Sequence, residues 1–410
     1  MESELYPDEE QRRRIMDFIM AAGQTLLENG AEVFRVEQTM EFMARSFHLR
    51  EFHVYVLTNG IFASAGTAEI SEVRNVPVRT THLGRVEAVN ALSRQIAAGG
   101  VSLAEAERQL AMAQRIPFPK PLTQLAAGLC GAFSFALIFG GSIEAGLAAA
   151  VAGLAASAYL WMCERRHVPG GFQKITTAAL ITLVCLVLCR LLHTEASHAI
   201  IGTLMILTPG IAFTGHPGFC AGRLPFRHHP HDRCAAGGRL HRHRHRLCAV
   251  VHFSANGGNG RMMTFTNAQV GQLVAQFFLA AAGTWSFSVL FACPKRLLPY
   301  GALVGGIGWL AYELAVLLGA DGTLASLLAV IPLTLLTRIF SIFCKAPVTV
   351  FLLPGIFPLV PGAGIYYTAY YFIQGNNALA LSNGITTFKI AVALATGIAL
   401  VLGIPLPHKK

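Results

Sequence analysis

Charge is scarce in this chain. Only 13% of its 410 residues are charged, against 53% apolar, and the mean hydropathy is +0.51. So little charge does not suit two or three soluble domains, so most of the chain is expected in a bilayer. The 40 glycines follow no three-residue period and the apolar stretches follow no heptad, which excludes collagen and coiled coil. The nine cysteines form no Cys-x-x-Cys pair. Most lie in apolar segments where a thiol acts as a small hydrophobe, so no disulfide framework is expected. No Walker A loop supports ATP-driven work. The opening residues MESELYPDEEQRRR are too polar for a signal peptide, so the N-terminus is expected to stay in the cytosol.

The formal charge of +10 is concentrated rather than general. Between Gly215 and His252 lie seven Arg, one Asp and eight of the 15 His, and without that stretch the charge falls to +4. Overall basicity is therefore an argument about one tract and does not point to nucleic acid.

Residues 1–120 carry charge at soluble-protein density and read as a small cytosolic α+β domain. Ile15, Phe18, Ile19, Ala22 and Leu26 form a helical stripe, and Val33, Val36, Met40 and Met43 form a second. FHVYVLTNGIFASAG (52–66) reads as a hairpin with a primed turn at Asn59-Gly60. Two more helices follow at 85–98 and 102–115, the second opened by a Ser102-x-x-Glu105 capping box.

From Leu122 onward, apolar stretches of membrane-crossing length recur near 122–140, 143–162, 175–192, 198–214, 268–292, 298–318, 323–340, 347–373 and 386–404. Nine spans conflict with the positive-inside pattern. With a cytosolic start, the basic loop 164–174 falls inside. Lys295-Arg296, the Arg338–Lys345 turn and Lys409-Lys410 do so only if one more crossing lies between 214 and 268. That interval, with RLPFRHHPHDRCAAGGRLHRHRHRL, is too polar to cross as written. We read it as a frameshift: in the next frame one admissible codon choice gives a polar loop followed by an apolar span. The expected plan is an α-helical polytopic membrane protein of about ten helices, nine of them readable. Its parts are the head, a first membrane half at 121–214, the anomalous tract at 215–262 and a second half at 263–410.

The halves share short matches in one order. Phe135–Phe139 recurs as Phe287–Phe291, Gly146 and Gly153 as Gly301 and Gly308, and Pro209-Gly210 as Pro354-Gly355. Five spans per half would insert the copies with opposite topology, as two inverted repeats. The Pro-Gly pairs at Pro209-Gly210, Pro354-Gly355 and Pro361-Gly362 fall at membrane depth, where each Pro removes a backbone donor. Broken helices at matching positions point to a substrate pathway, and a packing kink is the plainer alternative.

Glu313, inside GWLAYELAVLLG, is a candidate proton carrier, or else a carboxylate near the outer interface. Glu144 and Lys389 read as interfacial. In the head, Glu32, Arg35 and Glu37 cluster at a helix start, where a structural ion pair competes with a functional role. The His-rich tract admits a metal-carrier loop without tidy ligand spacing, so neither a metal site nor a cofactor is assigned. A membrane-tethered hydrolase would have only His48, His53 and His82 in the head and no nucleophile motif.

LLENGAEVFRVEQTM (26–40), the VLTNGIFAS hairpin and ILTPGIAFT resemble the threonine/serine exporter family. CPKRLLPYGALVGGIGW and LLPGIFPLVPGAGIYYT resemble its smaller partner component, fused here to the larger one. The resemblance covers nearly everything outside 215–262 and implies an inner (plasma) membrane secondary transporter rather than an enzyme. It implies export of threonine and serine driven by the proton gradient, with dicarboxylate (succinate) export as the alternative in some relatives. The expected partners are a small-molecule substrate and the lipid bilayer, with no nucleic acid; a homo-oligomer is left open. In the 215–262 tract the chain departs from the family, whose members have an Asn-x-Ile-Arg-Asp-like loop and a fifth helix there.

Overall fold

The computed structural model describes residues 9–66, 70–76, 80–166, 168–207 and 267–404. The expected helices of the head form: α1 (Glu9–Glu28) and α2 (Val33–Ser46) bury Ile15, Phe18, Ile19, Leu26, Val36, Met40 and Met43. These residues, with α3 (Leu83–Ala97) and α4 (Leu103–Gln114), make a separate hydrophobic core. The Ser102 hydroxyl accepts from the Glu105 N–H and caps α4, as the capping-box spacing requires.

β1 (His53–Leu57), β2 (Gly60–Ala65) and β3 (Ile70–Asn75) form an antiparallel sheet in that order. The hairpin is as expected but its turn is not. Leu57 pairs with Gly60, so the two-residue loop is Thr58-Asn59. Neither residue has the positive φ of a primed turn. Gly60 answers a close approach instead, since a Cβ there would stand 3.3 Å from the Arg74 carbonyl of β3.

Seven described helices are long and apolar enough to cross a membrane: α5 (Pro121–Ile138), α6 (Ile143–Arg165), α7 (Gly170–Leu191), α9 (Asn267–Leu290), α10 (Leu298–Leu317), α11 (Gly322–Phe343) and α14 (Asn377–Gly403). α12 (Thr349–Gly355), a 3-10 turn and α13 (Gly362–Ile373) count as an eighth if taken as one bent span. α8 (Ala196–Leu204), extended by a 3-10 turn to Leu207, is shorter, and the continuation of its expected span lies outside the described residues. So do the 215–262 tract with its expected helix, and Lys409-Lys410. The last helix starts at Asn377, well before the expected 386, so Lys389 lies inside it rather than at its end.

Contacts fix the direction of the helices. The Leu83 and Gly84 N–H groups, at the start of α3, donate to the Phe291 and Ala292 carbonyls just past the end of α9, at 2.9 and 3.0 Å. α9 therefore ends at the head, whereas α5 leaves from it. At the opposite end, the Ser142 hydroxyl meets Thr194 at 3.2 Å, placing the α5–α6 and α7–α8 turns together. On the head side Arg296, before α10, pairs with Glu87, and Arg94 donates to the Lys345 carbonyl after α11. Both basic loops of the second half thus share the head's side, and α14 returns there, since Arg338 of α11 binds its last carbonyls.

Small residues set the contacts between spans. A Cβ at Gly153 would collide with the Gly128 carbonyl and sit 2.7 Å from the Ala132 Cβ, so α5 and α6 touch backbone to backbone. Gly153→Ala is expected to push these helices apart at a cost of about 1–3 kcal/mol, read as a lower unfolding midpoint in detergent. Gly170→Ala, where a Cβ would meet nothing within 4 Å, should not lower it.

Candidate functional site

The break in the second half is the first candidate. α12 runs through Pro354-Gly355, turns through Phe357–Leu359 and stops at Val360. The next helix starts at Gly362, with 48° between the two segments. The helix therefore breaks at Pro361 and not at Pro354. Val350, Phe351, Leu352, Leu353, Ile356 and Phe357 are all buried, so this irregular backbone lies inside protein, where the bilayer tolerates it. Gly355 packs on Val304 of α10, leaving no room for a side chain. A Cβ on Gly362 would come within 2.6 Å of the Met205 sulfur, at the end of α8. The break is thus seated against the segment that leads into Pro209-Gly210, a pair that lies outside the described residues. Glu313 is half-buried in the last turns of α10, on the side away from the head.

The second candidate is a cavity of about 780 Å³ where the head meets the second half. Glu32, at the N-cap of α2, and Arg35 of α2 line it, together with Ser341 of α11, Lys345 of the α11–α12 connection and Thr349 of α12. Glu37, their expected companion, turns away and accepts the Val56 N–H at 2.9 Å, tying α2 to β1. Glu32 occupies the N-cap position of α2, yet its carboxylate makes no capping bond. Burial raises the Glu32 pKa, opposed by the nearby Arg35 guanidinium.

His82 and Arg338 hold joints. His82, 1% exposed, accepts the Arg85 N–H at Nδ1, while its Nε2 faces the Pro117 carbonyl at 3.3 Å, which requires one neutral tautomer. Burial lowers its pKa, opposed by the Pro117 contact. His48 and His53 are exposed. Among the described residues no three His, Cys, Asp or Glu are grouped to hold a metal. Arg338, expected in a loop, is buried in α11. It donates from Nη1 to the Val401 carbonyl and from Nη2 to Ile404 at 2.6 Å, satisfying carbonyls at the end of α14. An isolated Arg after a long apolar run gave no signal of that contact.

Seven apolar helices of membrane-crossing length, packed around the buried first segment of a broken pair, define a multi-pass helical membrane protein. The family described as "Putative threonine/serine exporter" matches residues 17–215, and "Threonine/Serine exporter, ThrE" matches 276–404. A "Probable threonine/serine exporter" of Mycobacterium tuberculosis is 25% identical over 97% of this chain and 77% of its own length. No solved structure matches. The chain belongs to the threonine/serine exporter family, which is one of transporters rather than enzymes.

Two outcomes test these assignments. Arg338→Met leaves the α14 carbonyls without their charged donor and should cost about 2–3 kcal/mol of stability, with Arg338→Lys recovering part of it. For Glu32, the raised pKa means the folded state binds the proton more tightly, so its ionised form opposes folding and that cost fades as pH falls through the raised value. Glu32→Gln should therefore unfold above the wild type at neutral pH, and the gap should close toward pH ~4, near the usual carboxylate range. A gap that widens on acidification would contradict this.

Proposed function

We propose that this chain is a plasma-membrane secondary transporter, with threonine and serine as its substrates and the proton gradient as the driving force. The observation that carries the reading is the 48° break at Pro361, which follows the buried turn Phe357–Val360 and packs against Met205 of the other half. Exposed backbone dipoles beside such a break bind small polar solutes, and Pro354, Gly355, Pro361 and Gly362 are assigned to the pathway. Pro209 and Gly210 are assigned by their repeat position alone. Glu313 is the proposed proton-coupling group.

An inverted repeat is part of the proposal, and reciprocal contacts support it. Gly131 packs against Ser286 and Phe287, and Gly283 packs against Phe135. Phe135 and Phe287 meet edge to face at 5.1 Å. Each position is 152 residues from its counterpart, so i touches j′ while i′ touches j, the signature of a two-fold contact. α5 leaves the head and α9 returns to it, the antiparallel relation inverted copies require.

Parity favours a tenth crossing. α8 starts on the side away from the head and runs back toward it, yet α9 also starts on the far side. One more passage between Leu207 and Asn267 completes the circuit, which the next-frame reading of 215–262 would supply. The head, sharing its side with Lys295, Arg296 and Lys345, is assigned to the cytosol.

Efflux of radiolabelled threonine, serine and succinate should be followed from cells carrying the chain as written and a version with the tract read in the next frame. The frame-corrected version should lower retained threonine and serine, a protonophore should abolish the effect, and Gly362→Leu should cut efflux about ten-fold or more at equal membrane abundance. Unchanged retention of every solute would overturn the transporter reading, and preferential loss of succinate would overturn the substrate assignment.

A further inference from the structure

The head–membrane cavity holds charged groups that no salt bridge of the fold engages, although the Arg35 guanidinium lies 5.9 Å from the centre of the Phe34 ring. Of its charged lining residues, Glu41 pairs with Arg45 at 3.4 Å, and Arg94 is held by the Lys345 carbonyl. No salt bridge among the described residues engages Glu32, Arg35 or Lys345. The carboxylate and one cation come from the head, and the other cation comes from the membrane portion.

Lys345 is fixed by its backbone. It sits just past the end of α11 with φ +51, and the Ala346 N–H closes back onto the Ser341 carbonyl at 3.1 Å, a Schellman-type turn. A left-handed conformation is unfavourable for lysine, so the turn geometry itself does not select lysine there. The Ser93 and Thr39 hydroxyls of the head, with Ser341 and Thr349 opposite, add neutral hydrogen-bonding groups to the same walls. Thr349 is also the first residue of α12, the segment that leads to the break.

We propose that this cavity is a capture site for a small zwitterionic hydroxy-amino acid, with Glu32 receiving the α-ammonium, Lys345 and Arg35 the α-carboxylate, and the hydroxyl-bearing walls the side chain. The assignment rests on the exporter reading above and deepens it by naming an entry site ahead of the broken helix. A dicarboxylate is disfavoured because Glu32 would face a like charge. A purely cationic solute would leave Lys345 and Arg35 unpaired. Since the walls belong to the head and to the α11–α12 connection, the site is complete only while the head is docked. The head then acts as one jaw of the entrance rather than as a separate enzyme.

The test is equilibrium binding of radiolabelled L-threonine to the full-length chain in lipid nanodiscs. Three variants are compared: Glu32→Gln, Lys345→Asn, whose asparagine tolerates the left-handed turn, and Glu107→Gln, remote from the cavity in an ion pair with Arg14. Loss of one charge-assisted contact should weaken threonine binding about ten-fold or more in the first two and leave the third unchanged. Competition by analogues assigns the ends of the ligand. 3-Hydroxybutyrate, which lacks the ammonium, should be indifferent to Glu32→Gln, and 1-amino-2-propanol, which lacks the carboxylate, indifferent to Lys345→Asn. Because Glu32→Gln is expected to stabilise the fold, a loss of binding there is not a loss of structure. Wild-type affinity in both cavity variants would overturn the capture site while leaving the exporter reading standing. Succinate competing as well as threonine would overturn the charge assignment. A chain that does not bind threonine, together with a frame-corrected version that does not export it, would remove both.

Discussion

A helix end has backbone groups without partners in its own helix, and inside a bilayer no water replaces them. Two joints of this chain answer that constraint with partners distant in sequence. The carbonyls of Phe291 and Ala292 beyond α9 meet the N–H groups of Leu83 and Gly84 at the start of α3, so a C-terminal helix end faces an N-terminal one. The carbonyls of Val401 and Ile404 meet the Arg338 guanidinium. The first joint seats the head and the second anchors the final helix. A Cβ on Gly84 would stand 2.9 Å from the Ala292 carbonyl, so the seat of the head depends on that close approach.

Between the joints, small residues let helices approach closely. Gly153 of α6 lies against Gly128 and Ala132 of α5, and Gly305 of α10 lies against Thr284 of α9. Close contacts of this kind favour discrete arrangements over gradual deformation, because a packed interface either fits or does not. The broken segment departs from this regularity. Its buried face is made of bulky residues such as Phe351 and Phe357, and Phe287 packs on Phe357 with ring centres 4.2 Å apart. The same phenylalanine thus touches both Phe135 and the broken segment, so a shift of one half against the other would be felt at the break.

Much of this was legible one element at a time. The stripe from Ile15 to Leu26 announced α1, the long apolar runs announced the spans, and Pro361 announced a break that the helix axis records. The i, i+3 spacing of Glu32 and Arg35 suggested an ion pair; no salt bridge joins them among the described residues, yet both line one cavity. Glu37 was not separable from them by spacing, since its partner is the Val56 N–H on a strand. Thr58-Asn59 as the hairpin loop was hidden because Asn59-Gly60 is the stronger local turn signal, while pairing with β3 demanded glycine for another reason.

The sequence by itself determined which segments enter the bilayer and where their helices weaken. Hydrophobic length, periodicity and the missing N–H of proline are properties of a residue and its near neighbours. Only the tertiary structure decided that Lys345 and Glu32 line one cavity, that Arg338 serves a helix that ends about sixty residues later, and that the head rests on the end of α9. Those relations depend on which ends and faces meet once the helices are assembled, and short-range spacing does not encode that.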